Sequence, residues 1–514
     1  MSTGSEGALL QDASAGIELH SPRGRWLILV TVLGSGMVFL DGTVVNVALP
    51  AIGRDLHAST GALQWVLSGY LLTLASLILL GGSLGDRFGR RRVFVIGAVI
   101  FTGGSLLCAL APSVGFLIGA RVIQGVGGAL LTPGSLAMLE AILVPADRPR
   151  GIGAWSGLTG VAAALGPLVG GYLITAVSWR AAFLINLPIG AFVVLFAGRV
   201  PESRGDGPRG GLDYAGAALA LVALAGVTFA LIEGPNGVST LDCALAAVVG
   251  AACAIAFVGV ERRSAAPMLP LDIFTTQFTA ANVVTFMIYA ALGGVFFLLV
   301  SFLQISLGYS PLGAGAATLP ITLLMLIFSS RTGALAQRIG PRLPLTAGSL
   351  IVALGMLLMT TIGSGASYLA DVLPSVLVFG AGLTLVVSPI TATVLASATV
   401  ARAGIASAVN NAVARVAGLL AVALLPALAG LTGEKFYVPA AMTRGFHVAM
   451  LACAFLAVIG SVVAWLAIDN NVLDVPGPHD VAEGPNGEAA YSCGVCAPPL
   501  RPSGEPDDRR AGVA

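Results

Sequence analysis

Long apolar runs separated by short polar stretches dominate the pattern along the chain. Neither the period of 3.6 residues of a half-solvated helix nor the period of 2 of a half-buried strand persists through them. A helix needs about 20 apolar residues to cross hydrocarbon. On that criterion the pattern predicts fourteen spans, near 26–49, 61–82, 93–111, 115–138, 152–176, 180–198, 213–232, 241–260, 279–302, 313–330, 344–362, 371–396, 404–431 and 443–467. A misread pair would leave twelve, so the count is itself an expectation.

Composition agrees with this pattern. Hydrophobic residues make up 56% of the 514 and charged residues 10%, whereas a soluble domain carries roughly 25% charged residues. A net charge of +1 gives no footprint for nucleic acid. The expected partners are instead the lipid bilayer and a small molecule.

The loop charges orient the chain. With the N-terminus inside, the inner loops hold Arg87, Arg90, Arg91, Arg92, Arg148, Arg150, Arg199, Arg204, Arg209, Arg262, Arg263, Arg331, Arg338, Arg342 and Arg402. The outer loops and their edges hold only Arg54, Arg180, Lys435 and Arg444. Fifteen against four is a strong positive-inside bias. It predicts a multi-pass protein of the cell inner membrane with both termini cytoplasmic. No secretory signal is expected: 25 mostly polar residues precede the first span. The tail from 468 is rich in Pro, Gly and charge and is expected to be disordered.

An internal repeat divides the spans. "GSLGDRFGRR" (82–91) and "GALAQRIGPR" (333–342) match at Gly82 with Gly333, Leu84 with Leu335, Arg87 with Arg338, Gly89 with Gly340 and Arg91 with Arg342. Each follows an inward-running span. The repeat predicts an N-terminal six-helix bundle over 26–198 and a C-terminal one over 279–467. A linker with two inserted spans joins them over 199–278, between terminal tails 1–25 and 468–514. Parallel halves with a site between them are a common architecture of secondary transporters.

Five segments in order carry a family resemblance. "GGSLGDRFGRRR" resembles the loop signature of the major facilitator superfamily, and "RVIQGVGGALLTPGSLAM" (121–138) its fourth-helix signature. "GLTGVAAALGPLVGGYL" (157–173) resembles the fifth-helix signature of antiporters. "LDGTVVNVALP" (40–50) and "WRAAFLINLPIG" (179–190) are similar to the fourteen-span drug:proton antiporter subfamily. The resemblance implies an all-α integral membrane protein with the major facilitator fold. It implies proton-coupled efflux of hydrophobic or amphipathic drug-like compounds, as in antibiotic resistance or self-resistance. No cofactor is expected beyond the proton motive force, and a monomer is expected. Uptake by proton symport, or export of an endogenous metabolite, is the alternative on the same fold. The second loop departs from the pattern with Gln337 opposite Asp86 and Pro341 opposite Arg90, so it is expected to be the weaker gate.

Asp41 is the one acid well inside a predicted span. An intramembrane carboxyl group is costly and marks a functional site by default. It either carries a proton, with burial bringing its proton exchange toward neutral pH as such chemistry requires, or it is permanently paired and locks two helices. Arg121 sits at a similar depth in the fourth span, so the two are expected to interact, directly or through Gln124 or a water. Together they are the proton-coupling candidates. Arg415, in "NNAVARVAGLL", is the second intramembrane cation. It either faces Asp41 across the cavity, binds an anionic group, or is structural. The remaining cavity candidates are Asn46, Gln64, Trp65, Tyr70, Gln124, Asn282, Tyr289 and Gln304. Few charges among them point to hydrophobic or weakly cationic substrates.

Gly153, Gly157, Gly166 and Gly170 contain two G-x-x-x-G spacings, which permit close helix approach. With Pro167 and Gly171 they predict a packed, bendable hinge helix. In the loop 82–91, Gly85 and Gly89 permit a tight turn, with Asp86 near a helix N-terminus, and Gly82, Gly85 and Gly89 belong to the candidate gate. Asp86, Arg87, Arg90 and Arg91 are the candidate cytoplasmic gate. Four His and the absence of a Walker loop leave no catalytic or ATP-binding constellation. Cys493 and Cys496 form one C-x-x-C in the tail, short of the four ligands a structural zinc needs, so no metal site is expected.

Overall fold

Fourteen helices long and apolar enough to cross a bilayer run through the described residues. They are α1 Pro22–Asp55, α2 Thr60–Phe88, α3 Arg90–Ala109, α4 Val114–Ile142, α5 Arg148–Ala176, α6 Ala181–Arg199, α7 Tyr214–Glu233, α8 Thr240–Arg263, α9 Thr276–Ile305, α10 Pro311–Ile339, α11 Arg342–Met359, α12 Tyr368–Ala396, α13 Ala403–Leu428 and α14 Pro439–Ala467. This computed structural model describes residues 16–205, 212–264, 267–399 and 402–473. The predicted tail disorder and the C-x-x-C of Cys493 and Cys496 fall outside them.

Hydroxyl caps start many of these helices. The side chains of Ser21, Ser59, Ser113, Ser239, Thr275, Ser310 and Ser367 each accept a bond from a backbone N–H in the first turn beyond them. Each satisfies one of the orphan donors of a helix start. α1 continues past Pro50, where the apolar run ends, to Asp55. Proline removes its own donor and crowds the carbonyl four residues back, which a helix tolerates best near its end, here five residues on.

The repeat is visible in the packing. In the first half α2 and α3 pack on α4, α1 packs on α5 and α6, and α3 packs on α6. In the second half α10 and α11 pack on α12, α9 packs on α13 and α14, and α11 packs on α14. The halves meet through α2 with α13, α5 with α10 and α1 with α9. α7 lies against α2 and α13, with α8 packed on α7. Trp65, expected in the cavity, instead points to this inserted pair and donates from Nε1 to Glu233 Oε1 at 2.7 Å.

The two repeated loops have matching turns. Gly89 and Gly340 both adopt positive φ, +110° and +80°, which favours glycine. Arg91 Nη1 donates to Val200 O at 2.8 Å and Arg342 Nε to Ile468 O at 2.7 Å, each reaching the segment after its bundle's sixth helix. Gly82, Gly85, Asp86 and Arg87 are not in a loop, because α2 extends to Phe88 and leaves the whole turn to Gly89. Asp86 therefore caps no following helix. Its carboxylate accepts from Arg90 Nε at 2.8 Å, and its carbonyl accepts from Gly205 N at 3.1 Å. Glu202 completes the cluster, accepting from Arg91 N at 2.9 Å.

The bonds that join the two bundles concentrate at the face away from the Arg-rich loops. There Thr60 Oγ1 donates to Gly433 O at 2.7 Å and Tyr437 OH to Ala58 O at 2.7 Å. Gln64 Nε2 donates to Val422 O and Ala423 O at 2.8 and 2.9 Å, and Gln304 Nε2 to Val47 O at 3.0 Å. Pro167 O of α5 lies against Gly315 of α10, and Gly171 against Pro311 and Leu312. Toward the other face, side chains added at Gly42 and at Gly153, Gly157 and Gly160 of α5 would meet open space. The bundles are thus closed on one face, with room between them on the Arg-rich side.

Candidate functional site in the N-terminal bundle

Asp41 of α1 and Arg121 of α4 are both completely buried, each 0% exposed. An ionised pair can persist there only if both ends are matched, because removing charge from water is costly. Arg121 Nη1 donates to Asp41 Oδ2. The same nitrogen donates to Gln124 Oε1 at 2.8 Å, while Gln124 Nε2 donates to Asp41 Oδ1 at 2.8 Å. The structure therefore brings Asp41, Arg121 and Gln124 into one ring of contacts.

Two further side chains extend it. Asn186 Nδ2 of α6 donates to Asp41 Oδ1 at 3.2 Å and to Ser105 Oγ of α3 at 3.0 Å. Ser105 in turn donates to Phe183 O at 2.9 Å. Arg121 Nε donates to Val66 O of α2 at 3.0 Å, and its guanidinium lies 4.2 Å from the Tyr70 ring centroid. Five helices of one bundle thus converge on the pair. Small residues make the convergence possible: at Gly104 any side chain would press into the backbone and Cβ of Gln124, at 2.9 Å.

Asn186 and Ser105 carried no functional reading from sequence. Asn186 had a usable signal, an amide inside the apolar run Ile185–Val194. Ser105 had none, since a lone serine in a span normally bonds its own helix.

The expected cavity residues separate into groups. Tyr70 and Gln124 do not line the space between bundles. They are 1% and 0% exposed inside the N-terminal bundle, where their polar ends are drawn to Val38 O and to the Asp41–Arg121 pair. Gln64 and Gln304 serve the closed face, spending their amides on carbonyls of the opposite bundle. In hydrocarbon such a side chain must find a partner in protein. Asn282 is buried within the C-terminal bundle and accepts from Asn410 Nδ2 at 3.2 Å. Asn46, Tyr289 and Arg415 remain half-buried. Asn46 bonds Gly42 O in its own helix at 3.0 Å, and Arg415 lies 5.4 Å from the Phe39 ring across the bundle boundary. His447 bonds Ile362 O at 2.9 Å near the closed face.

The glycines of α5 differ in what they touch. Gly166 and Gly170 pack against Thr43 and Val44 of α1, and Gly171 against α10, so these positions exclude side chains. Gly153 and Gly157 have no neighbour within reach of an added Cβ. The first G-x-x-x-G spacing is therefore not a packing surface.

The Major Facilitator Superfamily profile matches residues 31–422. The multidrug resistance protein Stp of Mycobacterium tuberculosis is 36% identical over 405 residues, spanning 77% of this chain and 74% of that protein. The puromycin resistance protein pur8 of Streptomyces alboniger is 34% identical over 471 residues, 89% of this chain and 94% of its own length. The probable actinorhodin transporter of Streptomyces coelicolor is 35% identical over 426 residues, 80% of this chain and 74% of that one. In fold, the D-xylose-proton symporter aligns with TM-score 0.62 at 17% identity, covering 87% of this chain and 98% of the symporter. The peptide transporter POT aligns with TM-score 0.63 at 17% identity, covering 88% and 97%. The paired six-helix bundles, the repeated Arg-rich turns and these likenesses place the chain in the major facilitator superfamily.

Proposed function

We propose that this chain exports hydrophobic or amphipathic drug-like compounds across the cell inner membrane in exchange for protons, by alternating access. The observation that carries the proton part is the buried Asp41–Arg121 contact, with Gln124 and Asn186 as its other donors. Arg121 stabilises Asp41 as a carboxylate while the bundle holds its present packing. Separating them leaves an uncompensated carboxylate in a dry site, and protonation is the cheapest relief. Proton uptake is thereby tied to movement of α1 against α4. Identity of 34–36% to resistance and export proteins supports the substrate class.

On this reading the Arg-rich face is cytoplasmic, both termini lie on that side, and the chain works as a monomer in an inward-open state. The Asp86–Arg90 pair with Gly89, Arg87 and Arg91 forms the cytoplasmic gate, and Gly166, Pro167, Gly170 and Gly171 the hinge. The test is an everted-vesicle assay in which a relative's drug, puromycin, is added to a preformed proton gradient. Puromycin should collapse the gradient in wild type and leave it intact in Asp41→Asn. Wild-type drug-induced proton release in Asp41→Asn would overturn the reading.

A further inference from the structure

Among the described residues, Arg121 and Arg415 are the guanidinium groups at least seven residues from either helix end that are shielded from solvent, Arg331 of α10 being exposed, and only Arg121 is matched by an acid. Arg121 has Asp41. Arg415 stands 12 residues into α13, about 18 Å along it at 1.5 Å per residue. Among the described residues no carboxylate lies within 4.0 Å of it. Its cross-bundle contact is the Phe39 ring of α1, 5.4 Å away. Asp41 cannot serve as its counter-ion in this conformation, being 0% exposed with both carboxylate oxygens already accepting. Of these two shielded cations, Arg415 therefore keeps an unmatched positive charge.

Its surroundings form a wall facing the space between bundles. Asn411 and Ser407 precede Arg415 by one and two helical turns on the same face of α13. Asn411 is exposed, and Ser407 and Arg415 are half-exposed. Tyr289 is half-buried on α9, the helix that packs against α13. An isolated cation at this depth is costly and marks a ligand or ion path. Guanidinium presents a planar fork of donors matched to a planar anion, and an aromatic ring stacks beside it.

We propose that Arg415 anchors an acidic group on the transported compound, so that aromatic anions are the preferred substrates. This deepens the export reading above and rests on it. It also revises the expectation of weakly cationic substrates, which counted few charges without seeing that the one left unmatched is positive. The carboxylate takes the guanidinium fork, and the ring system lies between Phe39 and Tyr289.

The test is equilibrium binding to purified full-length protein in lipid nanodiscs at neutral pH, with 2-naphthoate, 2-naphthamide and 2-naphthylmethylammonium as probes. Wild type should bind the naphthoate about tenfold or more tightly than the amide, as a charge-assisted contact provides. Arg415→Gln should bring the naphthoate down to the affinity of the amide and leave the amide unchanged. Arg415→Lys should keep part of the preference. Wild type binding the three probes equally, or none of them, overturns the proposal. So does a preference that survives Arg415→Gln, or loss of amide binding in that variant, which would mark Arg415 as structural. Proton exchange is not read in this assay, so failure of the Asp41 mechanism would leave the naphthoate preference intact.

Discussion

Removing both partners of the Asp41–Arg121 pair should cost far less than the sum of removing each alone. Asp41→Asn leaves the guanidinium of Arg121 buried and uncompensated, and its new amide NH2 would face the Nη1 donor that Asp41 Oδ2 now accepts. Arg121→Gln leaves a carboxylate held only by Gln124 at 2.8 Å and Asn186 at 3.2 Å. Breaking a buried pair from one side costs about 3–5 kcal/mol. The two single losses would add to about 6–10 kcal/mol if the residues were independent. In the double variant no buried charge remains, and the loss reduces to a few hydrogen bonds at about 1 kcal/mol each. The expected coupling is therefore about 3 kcal/mol or more, in the sense that the second substitution repairs the first. Unfolding free energies from denaturant titration of purified wild type, both singles and the double complete the cycle. Losses that add to within about 0.5 kcal/mol would refute the mutual compensation of the charges. Transport should move differently: the double variant regains stability but not drug-induced proton release, since it has no titratable group. Coupled export by the double variant would remove Asp41 from the proton path.

Gly166→Ala presses a methyl into Thr43 and should cost about 1–3 kcal/mol in unfolding titrations, whereas Gly157→Ala meets open space and should be neutral or slightly stabilising. Thr43→Ala should recover much of the Gly166→Ala loss. Gly89→Ala and Gly340→Ala should each destabilise by more than 1 kcal/mol, about what a left-handed backbone and a clash with Glu202 or Asn470 impose. Gln64→Leu removes two bonds across the closed face, worth about 1–2 kcal/mol, and should move the open-to-closed ratio there about 5–30-fold. Electron–electron distances between spin labels on Arg54→Cys and Lys435→Cys would report it, and an unshifted distribution would contradict it. Burial pushes the Tyr437 phenol up to about 12, so its bond to Ala58 O is intact through neutral pH. That contact should weaken only as pH rises through about 12, so Tyr437→Phe should leave any change in the label distances between pH 6 and 9 as it is in wild type.

The spans were legible because one physical variable, continuous apolar length, decides them, and Arg placement independently fixes their alternation. The Asp41–Arg121 contact was legible because depth is additive along a straight helix, at 1.5 Å per residue. Rotation about the helix axis was not. Tyr70 and Gln124 lie on the faces that turn into the bundle, and nothing in an all-apolar neighbourhood marks which face that is. The same ambiguity hid Asn186 and Ser105, whose role depends on which helices α6 and α3 face. The glycines of α5 show the limit most clearly. Gly153 with Gly157 and Gly166 with Gly170 read alike as spacings, yet only the second pair meets another helix. Of the two expected turn residues only Gly89 serves, for a local reason: Gly85 is compatible with a turn, but one positive-φ residue is enough, and Gly89 supplies it.

The placement of Asp41 also bears on how export and proton flow would be coupled. A carrier lining the cavity would meet water in every conformation open to either side, and nothing would stop it from exchanging protons without cargo. Asp41 is instead sealed among α1, α3, α4 and α6, with both oxygens engaged. Reaching it requires α1 to part from α4 or α6, a movement of the same helix whose adjoining faces receive Gly166 and Gly170 of α5 at Thr43 and Val44. α5 in turn contacts α10 through Pro167 and Gly171. Opening the closed face and exposing the carboxyl group are thus mechanically linked through one helix. On this geometry a proton leak should appear not when the cavity is widened, but when the α1–α5 seam is loosened. Thr43→Gly should raise drug-independent proton flux, and Gly157→Ala should leave it unchanged.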